Sequence, residues 1–177
     1  MAALTAAAVA AVGFLAYQAS ANVPDNLNVT PKASSSAPAK GGHTKPKAKD
    51  PLAVPSVSGT GVRVVYKLSD RRVWLVNAKG KPTRTFKVMP SAVNPLPGTY
   101  NVTSRSGSVR GSDGVQIEHV VRFATTNDVA IGFSAAQDGS MEPPDPKLKV
   151  GGVRMSRADG DAVWTFATVG AKVVVVP

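Results

Sequence analysis

Few side chains in this sequence could carry covalent or acid–base chemistry. There is no cysteine, so thiolate nucleophiles, disulfides, cysteine-ligated metals and a lipid anchor on cysteine are excluded. The two histidines, His43 and His119, are too few and too far apart in sequence for a zinc site, and no metal or other cofactor is expected. A hydroxyl nucleophile, Ser134, Ser140 or Ser156 with His119 as base, is the remaining enzymatic arrangement. His119, however, alternates with apolar neighbours in Gln116-Ile117-Glu118-His119-Val120, a strand pattern in which histidine fills a structural place. Cationic groups are more plentiful. Lys147, Lys149, Arg154 and Arg157 fall close together, and a planar guanidinium pairs bidentately with a carboxylate. This cluster is a candidate for holding carboxylates, weighed against a solvated basic rim. Trp74 and Trp164 could stack on a ligand, but both sit at positions that suit core packing.

The elements that must position these groups are mostly strands. Val62, Val64, Tyr66 and Leu68 alternate with Arg63, Val65 and Lys67, the period-two spacing of a half-buried strand. Asp70-Arg71-Arg72 reads as a turn, residues 73–76 as a second strand, Ala78-Lys79-Gly80-Lys81-Pro82 as a turn, and residues 83–89 as a third strand. A meander at this spacing predicts a largely antiparallel sheet. Further strands are expected over residues 99–104, 114–123, 128–133 and 172–176. A long surface loop, rich in proline, is expected over 138–149. The one helix is expected over 159–168, with Ala162, Val163 and Phe166 on one face and Gly170 as its terminator.

The chain also changes character along its length. Residues 2–17 carry no charge and end near Ala19-Ser20-Ala21, a small-x-small pattern that predicts a signal peptide over 1–21. An uncleaved N-terminal anchor, the only expected membrane contact, is the alternative. Residues 22–58 are rich in Pro, Ala, Ser and Lys without periodicity, which predicts a disordered tether; His43 lies there as a bystander. The net charge is +10 and stays positive in the folded part, residues 59–177, so anionic partners are favoured. Nothing resembles a recognition helix or a basic–aromatic nucleic-acid surface, and with export expected no nucleic-acid partner is predicted.

Several segments carry a family resemblance. Val64-Val65-Tyr66 … Val73-Trp74-Leu75-Val76 … Gly80 … Thr83-Arg84-Thr85-Phe86-Lys87-Val88 resembles the opening of an L,D-transpeptidase catalytic domain. Pro95-Leu96-Pro97-Gly98-Thr99-Tyr100 is similar to that family's Thr-Pro-x-Gly-x-aromatic loop with an altered start. Val129-Ala130-Ile131-Gly132-Phe133 resembles the strand that leads to its catalytic histidine. Gly151-Gly152-Val153-Arg154-Met155-Ser156-Arg157 resembles its Ser-His-Gly-Cys-(Val/Ile)-Arg-Met block. The resemblance runs from about residue 61 to the C-terminus. It implies a mainly β domain over 59–177, a β-sandwich or barrel of antiparallel and mixed strands with one short helix near the C-terminus.

By the same resemblance, Ser134 stands where the family has its histidine. Lys149 and Val150 replace the serine and histidine before the glycine. Gly151 matches that glycine, Gly152 stands in place of the nucleophilic cysteine, and Arg154 matches the arginine that follows. Glycine can form no covalent intermediate, and a serine hydroxyl is not a base at neutral pH. The implied protein is a non-catalytic L,D-transpeptidase-like module of the cell envelope, secreted or wall-associated, that binds peptidoglycan or another anionic wall polymer through Arg154, Lys149, Arg157 and Ser134. The alternatives are an envelope scaffold that binds another protein, or an enzyme with a relocated nucleophile.

Overall fold

The computed structural model describes Asp50 and residues 52–177. The expected signal peptide and most of the expected tether lie outside the described residues. After a short 3-10 turn, Ser56–Ser58, the chain forms β1 (Arg63–Lys67), β2 (Arg72–Val76) and β3 (Pro82–Lys87). Then come β4 (Met89–Pro90), β5 (Gly98–Asn101), β6 (Ser104–Arg110), β7 (Gln116–Thr126), β8 (Val129–Ala136) and β9 (Gly151–Met155). Helix α1 (Arg157–Phe166) and β10 (Lys172–Val176) complete the chain. The strands form two five-stranded sheets, ordered β3-β2-β1-β10-β5 and β4-β9-β8-β7-β6.

Both sheets are mixed. The hairpins pair antiparallel as the meander predicts, but β10 runs parallel to β1 and β9 parallel to β8. The expected third strand over 83–89 divides. β3 leaves the first sheet at Lys87, Val88 turns with its N–H on the Arg71 carbonyl, and β4 pairs with β9 in the second sheet. One apolar strand pattern therefore covers a sheet crossover, because Phe86 and Val88 both face the same core. The expected strand over 99–104 also divides, into β5 and the start of β6, which belong to different sheets.

Residues from both sheets and the helix meet in a single core: Tyr66, Leu75, Phe123, Phe133, Met155 and Val163 are all within it. Phe133 lies edge-on to Tyr66 with centroids 6.0 Å apart and stacks on Phe123 at 4.8 Å. A second cluster, Val65, Trp74, Val76, Val174 and Val176, lies on the outer face of the first sheet. Val54 covers it, and the Trp74 Nε1 donates to the Leu52 carbonyl at 2.8 Å. Ordered contacts thus reach back to Leu52, within the stretch read as tether. Trp74 is a packing residue, as its position suggests.

Helix α1 begins two residues before its expected start because Ser156 caps it, accepting from the Asp159 N–H. Its last residue is Phe166, with Ala167 as cap. Gly170, expected to end the helix, instead turns the chain into β10 at φ +85, donating to the Val102 carbonyl.

Candidate functional site

On β8 and β9 the side chains alternate between the core and the opposite face. The parallel register pairs Gly132 with Gly152 and Ser134 with Arg154, which sets these four residues together on the face away from the core. They floor a half-open cleft whose walls are β6, β7, the β6–β7 turn and the segment after β4. The cleft encloses about 120 Å³, less than the roughly 300–1,000 Å³ of sites that enclose a whole small molecule, so it suits one charged group of a larger ligand.

The floor is shaped by glycine. A Cβ on Gly151 would lie 2.5 Å from the Ala130 carbonyl oxygen and from Ile131 Cδ1, so β8 and β9 approach too closely there for any side chain. Gly152 differs: a Cβ there would meet nothing nearer than Ser91 Oγ at 3.5 Å, an ordinary contact. Position 152 therefore has room for a side chain and carries none. Ser91, which follows β4, donates from both its N–H and its hydroxyl to the Gly152 carbonyl, at 2.9 and 2.6 Å.

Arg154 lies within this cleft but is not free. Its Nη2 donates to Asp113 Oδ2 at 2.7 Å, with both side chains largely buried. Asp113 sits in the β6–β7 turn, where it also accepts from the Val115 N–H. Arg110 and Arg122 line the cleft as well, Arg122 donating to Ser106 Oγ at 2.9 Å. Three guanidiniums against one carboxylate leave the cleft cationic.

The structure does not bring all the candidate residues together. Ser134, Val150, Gly151, Gly152 and Arg154 line the cleft. Lys147 and Lys149 are exposed on the loop after β8 and do not line it. Arg157, at the start of α1, binds Glu118 through Nε at 2.5 Å and holds that carboxyl below the usual carboxylate range. Sequence reading missed Arg110, Asp113 and Arg122, since a carboxylate in a turn and single arginines on β6 and β7 carry no local signature of a site.

Of the relocated-nucleophile candidates, Ser134 and His119 are not brought together. His119 sits at a bulge of β7 with φ +53 and packs under α1, its ring 5.4 Å from that of Trp164 and its Nδ1 3.2 Å from Asp161. Ser134 faces the cleft on the other side of the sheet. Ser156 is committed to capping α1. Trp164 is packed between His119 and the guanidinium of Arg105, 3.7 Å above its ring. Among the described residues, no group of three or more acidic or histidine side chains could hold a metal ion.

Among solved structures, the chain is similar to an L,D-transpeptidase from Stackebrandtia nassauensis, with 18% identity and a TM-score of 0.52 over 67% of this chain and 56% of that one. The domain has the L,D-transpeptidase fold. It is also similar to Mycobacterium tuberculosis L,D-transpeptidase 1, at 17% identity and a TM-score of 0.50 over 67% of this chain and 63% of that one. A third similar structure is a fused Zn-dependent amidase/peptidase/peptidoglycan-binding protein from Clostridium acetobutylicum, at 16% identity and 0.50, over 68% of this chain and 55% of that one. The chain thus spans less than two thirds of each of these structures. No family model and no curated protein matches the sequence. Within the described residues no helix is long and apolar enough to cross a membrane.

Proposed function

We propose that this is an exported, non-catalytic cell-envelope protein whose transpeptidase-like cleft binds the carboxylates of peptidoglycan stem peptides. The observation that carries the reading is the cleft itself: it stays open beside Gly152 and Ser134 and is lined by Arg110, Arg122 and Arg154 against Asp113 alone. Thiolate chemistry is gone with the cysteine, and His119, the one histidine of the folded part, lies across the sheet from Ser134. What remains suits recognition: guanidiniums in a partly desolvated groove bind carboxylates by paired, charge-assisted hydrogen bonds. A serine-directed fluorophosphonate probe is expected to leave the protein unlabelled.

The test is co-sedimentation of the full chain with insoluble peptidoglycan from about 50 to about 500 mM salt, a range over which surface charge is progressively screened. Binding through the cleft persists at the upper end and weakens about tenfold in Arg110→Ala or Arg122→Ala, the loss of one charge-assisted hydrogen bond. These variants are preferable to Arg154→Ala, which would also strand Asp113. Binding that disappears with salt and ignores both substitutions would overturn the reading and leave a basic surface on an anionic polymer.

A specific observation favours one second reading. Val62 and Val169 are 54% and 64% exposed and border grooves on either side of Phe166, so the domain offers an apolar surface for an envelope protein partner. A crosslinked protein with no wall binding would favour it.

A further inference from the structure

Two charged side chains among the described residues are buried, Arg154 and Arg63. Arg154 has Asp113. Arg63, the first residue of β1, is 4% exposed and takes part in no ion pair among the described residues. Its guanidinium donates to the Gly61 carbonyl at 2.7 Å and to Ser58 Oγ at 3.0 Å, and its buried Nε has no acceptor. A cation buried with neutral partners alone is costly.

Arg63 forms part of the wall of a pocket of about 360 Å³ between the segment leading into β1 and the β2–β3 turn. Lys79, exposed in that turn, contributes a second cation, and no carboxylate lines the pocket. Gly59, Thr60 and Gly61 also line it, and none of their N–H groups donates to another backbone group among the described residues. Gly59 and Gly61 have φ of +77 and +81, a left-handed backbone that other residues adopt only under strain. Three successive residues with unused amides, a lysine and an unbalanced arginine thus line one concavity, far in sequence from the residues of the cleft.

We propose that this pocket is a phosphate-binding site. Successive backbone amides with nearby cations are the usual cradle for an oxyanion. A phosphate offers more acceptor oxygens to such a set than a carboxylate does, and its charge would balance Arg63 and Lys79 together. Arg63 contributes its charge through the pocket wall, while Lys79 and the amides supply direct contacts. The pocket is open enough for the phosphate to carry a substituent, so its source is a phosphodiester of a wall polymer or of a lipid headgroup. This site is independent of the proposed wall-peptide cleft.

The experiment is an amide-resolved NMR titration of the 15N-labelled full chain with inorganic phosphate, against sodium chloride at matched ionic strength. Saturable shifts confined to Gly59, Thr60, Gly61 and the 78–80 turn are expected with phosphate and not with chloride. Lys79→Glu, an exposed position, is expected to raise the midpoint at least tenfold with the rest of the spectrum unchanged. Arg63→Met, if it folds, is expected to lose the rise in Tm that phosphate gives the wild type. Arg110→Ala in the cleft is expected to leave the phosphate shifts intact. Repeating the titration with soluble poly(glycerol phosphate) and with phosphatidylglycerol vesicles then distinguishes the sources: either response supports a phosphate site and assigns its origin. Shifts spread over the whole basic surface, shifts equal in chloride, or an unchanged midpoint in Lys79→Glu would overturn the proposal.

Discussion

On β8 and β9 the odd- and even-numbered residues build two different surfaces. Ile131, Phe133, Val153 and Met155 close the core against the first sheet, while Gly132, Ser134, Gly152 and Arg154 floor the cleft. The same strands serve both, so the pleat alone divides a surface that must be full from one that must stay open. The core side is defined by volume and the cleft side by its absence. Stability should therefore be sensitive to loss of atoms on the one face and to gain of atoms, or loss of a charge partner, on the other.

The largest effect is expected on the full face. Phe133→Ala removes a ring that touches both Tyr66 and Phe123 and should cost about 3–5 kcal/mol, read as a fall in the denaturant midpoint. A loss under about 1 kcal/mol would mean that the two sheets are not packed through this ring.

Next is the ion pair on the open face. Arg154→Ala leaves Asp113 without its ion-pair partner in a largely buried position and should cost about 3 kcal/mol, much of it recovered by adding Asp113→Asn. If the double variant is no more stable than the single one, the penalty is not an unpaired carboxylate.

The adjacent glycines sharpen the comparison further. Gly151→Ala drives a methyl group into the Ala130 carbonyl and Ile131 and should cost about 1–3 kcal/mol. Gly152→Cys should cost less than about 0.5 kcal/mol, since its Cβ meets only Ser91 Oγ at ordinary distance. Its thiol should react with a maleimide in the folded protein; protection until unfolding would show that the cleft is shut.

The smallest effect depends on pH. Burial pushes the Tyr66 phenol from its ordinary 10.0 up to about 12, and its hydroxyl has no hydrogen-bond partner. The fold favours the neutral phenol, so this contribution is complete below pH about 10 and is lost as pH rises toward about 12. Tyr66→Phe keeps the contact with Phe133. It should leave stability at neutral pH unchanged or slightly higher and flatten the alkaline decline measured by thermal melts between pH 9 and 12.

Much of this was legible in sequence because period-two patterns are local. Val64, Tyr66, Val73 and Leu75 announced β1 and β2, and the valine run announced β10. β6 was missed because Arg105, Ser106, Gly107 and Ser108 lie on an edge strand with little apolar burial, so no periodicity records it. The crossover at Val88 was hidden because the side chains before and after it face one core. The resemblance placed Ser134, Gly152 and Arg154 in one site, and the structure groups them. The partner of Arg154 was not legible: Asp113 is distant in sequence, and pairing across a fold leaves no mark on spacing. Lys149 and Arg157, close in sequence, both fall outside the cleft: Lys149 ends the exposed loop before β9, and Arg157 opens α1, where it pairs with Glu118.

The position of β10 has a kinetic consequence. The strand that joins β1 to β5 in the first sheet is β10, residues 172–176, with Val64 pairing to Val173 and Val175 to Gly98. Until that strand arrives, β1 and β5 have no common neighbour and Tyr66 has no closed core around it. Such long-range closure slows folding, since loop entropy is lost before the contacts that reward it form. A ribosome still holding residues 172–176 would therefore keep the first sheet open. Removing those five residues should abolish the cooperative transition rather than trim its edge.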